Sequence, residues 1–122
     1  MRIAITASGP DLDSPVDPRF GRCACFVFVD TETEETEVVQ NENVAVGGGA
    51  GIQSAQAVAD KGATAVLTGN CGPNAHRTLQ VAGVGVIVGV GGTVREAIEK
   101  YKAGGFSAAT APNVDAKFGT ET

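Results

Sequence analysis

Gly47-Gly-Gly-Ala-Gly51, followed by Ile52-Gln-Ser-Ala-Gln-Ala-Val-Ala-Asp-Lys61, is where the chain changes its period. Ile52, Ala55 and Val58-Ala59 recur at helical spacing, and Gly62 stands where a helix ends. Before this point the apolar runs are short and joined by turn residues. Arg2 to Ala7 reads as a first strand, Cys25 to Asp30 as a second that is apolar on both faces, and Glu35 to Gln40 as a third. After it, strands and helices alternate. Ala63 to Thr68 reads as a fourth strand, Pro73 to about Ala82 as a helix, Gly85 to Val88 as a fifth strand, and Thr93 to about Lys102 as a last helix. Pro73 suits a first helical position. Thr93 with Glu96 three residues on has the form of a capping box.

A meander followed by crossovers predicts an α/β domain with a five-stranded mixed sheet and three helices. The simplest strand order is 3-2-1-4-5, with strand 2 antiparallel to the rest, a small ribonuclease H-like architecture. Residues 1–106 form that domain, and 107–122, small and polar, read as a weakly ordered tail. One domain accounts for all 122 residues. The acidic run from Asp30 to Glu42 reads as a solvated hairpin at a sheet edge, where charge discourages strand pairing between molecules.

Composition excludes several classes. Nine basic residues against fourteen acidic ones give a net charge of -5, so a nucleic-acid partner is not expected. No apolar stretch approaches the roughly 20 residues of a membrane span. Met1-Arg-Ile-Ala-Ile-Thr lacks the apolar length of a signal peptide. The expectation is a cytoplasmic protein without a membrane partner. A nuclease of this fold class needs carboxylates around metal ions, and the first strand carries none. No spacing ties His76 to a thiol as base to nucleophile, so no enzyme is read from the chain.

In this topology the ends of strands 1, 3, 4 and 5 and the start of strand 2 share one edge, where open α/β sheets place ligands. The loops 8–22, 43–51, 69–74 and 89–92 gather there. The starts of three helices offer amides and a positive dipole end to an anion. The glycine loops match neither a phosphate-binding loop nor a dinucleotide fingerprint, and tight turns alone would also explain them. Three cysteines cannot all pair within one chain. Cys23 and Cys25, two apart in an extended strand, should face one side about 6.6 Å apart. Cys71 sits in the loop after strand 4, and His76 lies one turn into the second helix. This set suits Zn, Cu(I) or an iron–sulfur unit, but each thiol could also be a small core hydrophobe, Cys71 less so because it neighbours Asn and Gly, and His76 could be a surface residue.

Leu12-Asp-Ser-Pro-Val-Asp-Pro-Arg-Phe-Gly-Arg22 with Phe26-Val-Phe-Val-Asp30 resembles the dinitrogenase iron–molybdenum cofactor biosynthesis family. So do Gly48-Gly-Ala-Gly51, Gly69-Asn-Cys-Gly-Pro-Asn-Ala75 and Gly92-Thr-Val-Arg-Glu-Ala-Ile98. The resemblance covers about residues 1–105. It implies a ribonuclease H-like fold and nitrogenase-accessory or orange-protein-like roles. The implied function is non-enzymatic binding or carriage of a metal–sulfur cluster, iron–sulfur or molybdenum-containing, in cofactor assembly or sensing. Cluster donor and acceptor proteins are the implied partners, and a homodimer stays open. Placed on the edge where the loops converge, such a cluster would have Arg19, Arg22, Gly48, Gly49, Gly51, Asn70 and Gly72 as cofactor-binding residues, and the same loop topology, not the resemblance, offers Cys23, Cys25, Cys71 and His76 as metal ligands. Arg19 stands where family members often carry His. A regulatory module binding a small anion or nucleotide through the glycine loops is the alternative.

Overall fold

Residues 1–41 and 50–106 are described by the computed structural model. Five strands, β1 (Arg2–Ala7), β2 (Cys25–Asp30), β3 (Thr36–Gln40), β4 (Ala65–Leu67) and β5 (Gly85–Ile87), form one sheet in the order β3-β2-β1-β4-β5. β2 runs antiparallel to β1 and β3, while β4 is parallel to both β1 and β5. Three helices follow the first three strands in the expected alternation: α1 (Ala50–Asp60), α2 (Pro73–Val81) and α3 (Val94–Lys102). The expected fold class, strand order and strand directions are those observed. The tail expected at 107–122, and the 42–49 part of the glycine-rich loop, lie outside the described residues.

Alternation along the strands decides which helix covers which face. Ala4, Phe26, Phe28, Val66 and Val86 point to one side, where Ala55 and Val58 of α1 and Ala75 and Leu79 of α2 bury them. Ile3, Ile5, Val27, Val29, Leu67 and Ile87 point to the other, under Val94 and Ala97 of α3. Each fully buried Ile, Leu or Val contributes roughly 1.5–3 kcal/mol by leaving water. Two apolar layers from one sheet explain why a chain of this size holds β1 and β2 without a polar face.

The helix ends follow the sequence signals. Thr93 accepts the Glu96 amide and Glu96 returns a bond to Thr93, completing the capping box. Gly62 follows α1 at φ +81°, a conformation glycine adopts without strain. The acidic hairpin is ion-paired as well as solvated. Glu37 is shared by Arg2 and Lys61, and Glu34 holds Lys102. These are exposed pairs and contribute little to stability. Their effect is to tie the hairpin to Arg2 of β1, to Lys61 at the end of α1 and to Lys102 of α3.

Candidate functional site

Ala7, Leu67 and Ile87 end their strands where Cys25 begins β2 and Gln40 ends β3. The segment 8–22 crosses this edge as a strap. It turns back on β1, with the Ser8 amide donating to the Pro15 carbonyl (3.0 Å) and the Asp17 amide donating to the Thr6 carbonyl (2.8 Å). Inside this turn the Thr6 hydroxyl bonds the Asp17 carbonyl at 2.8 Å and lies 2.9 Å from the buried Thr68 hydroxyl. Thr6 has one hydroxyl proton, so when it donates to Asp17 it accepts from Thr68.

The strap is next fastened to the loop after β4. Asn70 donates from Nδ2 to the Pro18 carbonyl (2.9 Å) and accepts the Phe20 amide (3.1 Å). Gly69 is the contact point. A Cβ there would lie 2.6 Å from Pro18 Cα, so only glycine lets the two backbones meet. The Gly89 amide in turn donates to the Gly69 carbonyl at 2.8 Å, which joins the loop after β5 to the same frame.

The strap also reaches α3, and this corrects an expectation. Of the three helix starts expected to face an anion, that of α3 is already occupied. The Val94 amide donates to the Ser14 carbonyl (3.0 Å), the Arg95 amide to the Leu12 carbonyl (2.8 Å), and the Glu96 amide to the Thr93 hydroxyl (3.2 Å). α1 and α2 differ. Gly51, in the first turn of α1, packs so closely on Ala75 in the first turn of α2 that an added Cβ would stand 3.2 Å from the Ala75 Cβ. The two starts therefore meet. Neither carries an acidic residue in its first turn, and the N-cap of α2 is Gly72, whose lack of a side chain leaves no side-chain cap. Two dipole ends together favour negative charge.

Arg19 stands on the strap beside Asn70, with which it shares an isolated bridge. Its Nε lies 3.6 Å from the Asp17 carboxylate, and its side chain is 38% exposed. Arg22 follows it, its amide donating to the Arg19 carbonyl at 3.3 Å. Gly48 and Gly49 fall outside the described residues.

The thiols are arranged differently from the expectation. Cys23 and Cys25 do not share a side. The chain bends at Ala24 before β2 begins. Cys23 joins the α1–α2 core with Phe26 and Phe28, while Cys25 joins the α3 core with Val27 and Val29. The rule of alternation fails because Cys23 precedes the strand. Cys71 is also buried, in the same core as Cys23. His76, expected on a helix flank or as a ligand, is only 5% exposed on the inner side of α2. Among the described residues no three His, Cys, Asp or Glu side chains form a group that could hold a metal ion. Cys23, Cys25, Cys71 and His76 are therefore not a preformed ligand set.

Burial also disfavours the thiolates. The Cys23 thiol is pushed up to about 12, first by desolvation and then by the negative charge of Asp17. Cys71 is pushed up to about 12 by desolvation alone. Both thiols stay protonated at neutral pH.

Three residues of this edge were not read from the sequence. Asp17 is a buried carboxylate, Gly69 a close-contact glycine, and Asn41 a buried amide that donates to the Gly21 and Cys23 carbonyls (3.1 and 2.9 Å). Asp17-Pro18 reads only as a turn signal. The partners of all three lie far along the chain, and no local pattern reveals them.

The family model described as "Dinitrogenase iron-molybdenum cofactor" matches residues 1–104. The apo form of the orange protein from Desulfovibrio gigas is 46% identical, with 93% of this chain and 96% of that one covered at a TM-score of 0.90. A NifB-like protein from Thermotoga is 39% identical over 93% of this chain and 97% of its own, with a TM-score of 0.81. A Methanocaldococcus jannaschii protein, 18% identical over 92% and 97% of the two chains at a TM-score of 0.69, shares the fold. No curated protein matches the sequence. No helix among the described residues is long and apolar enough to cross a membrane.

Proposed function

Because the chain belongs to the dinitrogenase iron–molybdenum cofactor family, we propose that it carries an anionic metal–sulfur cluster on its loop edge, passing it between donor and acceptor proteins. The observation that carries this reading is the meeting of the α1 and α2 starts beside the Arg19-bearing strap. Amide donors, two dipole ends and a guanidinium suit a sulfide-rich anion. The cluster is cargo, and it brings its own sulfides. Buried, protonated thiols divided between two faces do not fit a ready cysteine cage. We assign Arg19, Arg22, Gly51, Asn70 and Gly72 to the cargo, together with Gly48 and Gly49, which precede α1 in the sequence. Cys71, within the edge loop itself, is the one thiol we retain as a ligand, bonded only after losing its proton. Cys23, Cys25 and His76 we assign to the core.

Anaerobic titration with tetrathiomolybdate and Cu(I), followed by visible absorption, tests this reading. The wild-type chain should take up colour. Arg19→Gln should bind about tenfold more weakly at low salt, since a hydrogen bond to a charged group is worth roughly 1.5–3 kcal/mol. The difference should shrink as salt screens the charge. Cys71→Ser should weaken uptake more than Cys23→Ser. Uptake of a nucleotide or inorganic phosphate with no uptake of thiometallate would instead favour a regulatory anion-binding module.

A further inference from the structure

Asp17 is the one carboxylate among the buried polar side chains of the described residues, at 5% exposure. Burying a carboxylate is costly unless it is paired. Its Oδ1 accepts the Arg19 amide at 2.9 Å and faces Arg19 Nε at 3.6 Å, while Oδ2 accepts the Ser8 hydroxyl at a long 3.5 Å. The turn itself does not need the charge, because a neutral amide oxygen would accept the same Arg19 amide. The charge is used on the guanidinium. The backbone on which both residues sit is fixed by the Thr6 and Asn70 bonds on either side. The terminal nitrogens of Arg19 have no partner among the described residues.

We propose that Asp17 is a positioning residue for the cargo edge: its buried carboxylate holds Arg19 by Nε and leaves the terminal nitrogens for the anion. This rests on the cluster-carrier reading. It makes a signed prediction that simple charge does not. Coulomb attraction alone says that removing a negative charge near the site tightens anion binding. Positioning says that it loosens binding, because the guanidinium must be ordered afresh at each binding event.

Asp17→Asn keeps the acceptor for the Arg19 amide and removes the charge. Two measurements separate the possibilities. The first needs no cargo. The 15N heteronuclear NOE of Arg19 Nε should be higher than that of the exposed Arg77 in wild type, and should fall to the Arg77 level in Asp17→Asn. The second is tetrathiomolybdate titration at low salt, where Asp17→Asn should bind about fivefold more weakly, the scale of one ion pair. Should Asp17→Asn fold poorly, Arg19→Lys keeps the cation but lacks Nε, and should weaken binding by a similar factor. The double variant should then lose little more than either single one. Unchanged or tighter binding by Asp17→Asn, or an Arg19 Nε as mobile as that of Arg77 in wild type, would overturn the proposal. If wild type takes up no thiometallate, the carrier reading fails, and the NOE comparison alone decides whether Asp17 positions Arg19.

Discussion

Raising the pH from 8 to 10.5 should cost the fold roughly 2 kcal/mol for each of Cys23 and Cys71, about 4 kcal/mol in all. Both thiols are pushed from 9.0 up to about 12 in the folded chain. Their folded value lies above the unfolded one, so above pH 9 the unfolded chain releases protons that the folded chain retains. Stability is fully present below pH 9 and falls as pH climbs toward 12. A loss of about 4 kcal/mol is a large part of the stability of an ordinary domain. Urea unfolding at pH 8 and pH 10.5 measures it. A Cys23→Ala/Cys71→Ala variant should start less stable, because each change leaves a gap, but should lose much less between the two pH values. Other groups titrate in both proteins, so the difference between them belongs to the thiols. Equal losses would mean that the thiols meet water in the folded chain.

Gly69→Ala should destabilise by about 1–3 kcal/mol, the cost of overpacking a closed contact. The new methyl would meet Pro18 Cα at 2.6 Å and the Pro18 carbonyl oxygen at 3.1 Å, both backbone atoms that cannot rotate aside. The strap must shift, and Arg19 shifts with it, so cargo binding should weaken by more than a surface change would produce. Gly91→Ala is the control. It has open space within 4 Å of the added carbon and should change stability by no more than about 0.5 kcal/mol. Thermal unfolding of the two variants beside wild type is the measurement. A neutral Gly69→Ala would show that the strap does not lie against the β4 loop.

The sheet was legible because its signals are local and repeated. Ile3 and Ile5 alternate with Ala4 and Thr6, the Thr93–Glu96 box marks a helix start, and the change of period near Gly51 separates meander from crossovers. Boundaries moved by one or two residues where turns blur them. β3 begins at Thr36 instead of Glu35, and α1 reaches back to Ala50. The edge was legible as a place, since topology alone sends the loops there. Its chemistry was only partly legible. Extending the strand alternation from Cys25 to Cys23 missed the bend at Ala24. The amides of Val94 and Arg95 are taken by carbonyls some eighty residues earlier in the chain, which no local capping rule foresees. The burial of Asp17 and His76 likewise depends on what packs over them.

The bend at Ala24 has a consequence for oxidation. A disulfide needs its two Cβ atoms roughly 3.5–4.5 Å apart, and Cys23 and Cys25 enter cores on opposite sides of the sheet. They cannot close a ring with each other unless the first residues of β2 come away from Ala7 and Gln40. Cys23 and Cys25 are buried on these opposite sides, so neither offers an accessible sulfur to a passing peroxide or a second chain, and Cys71, buried at the edge loop, is the one thiol the cargo would cover. On the proposed carrier reading, sensitivity to air would belong to the cargo's own sulfides and metals, and the polypeptide would outlast the loss of its cargo.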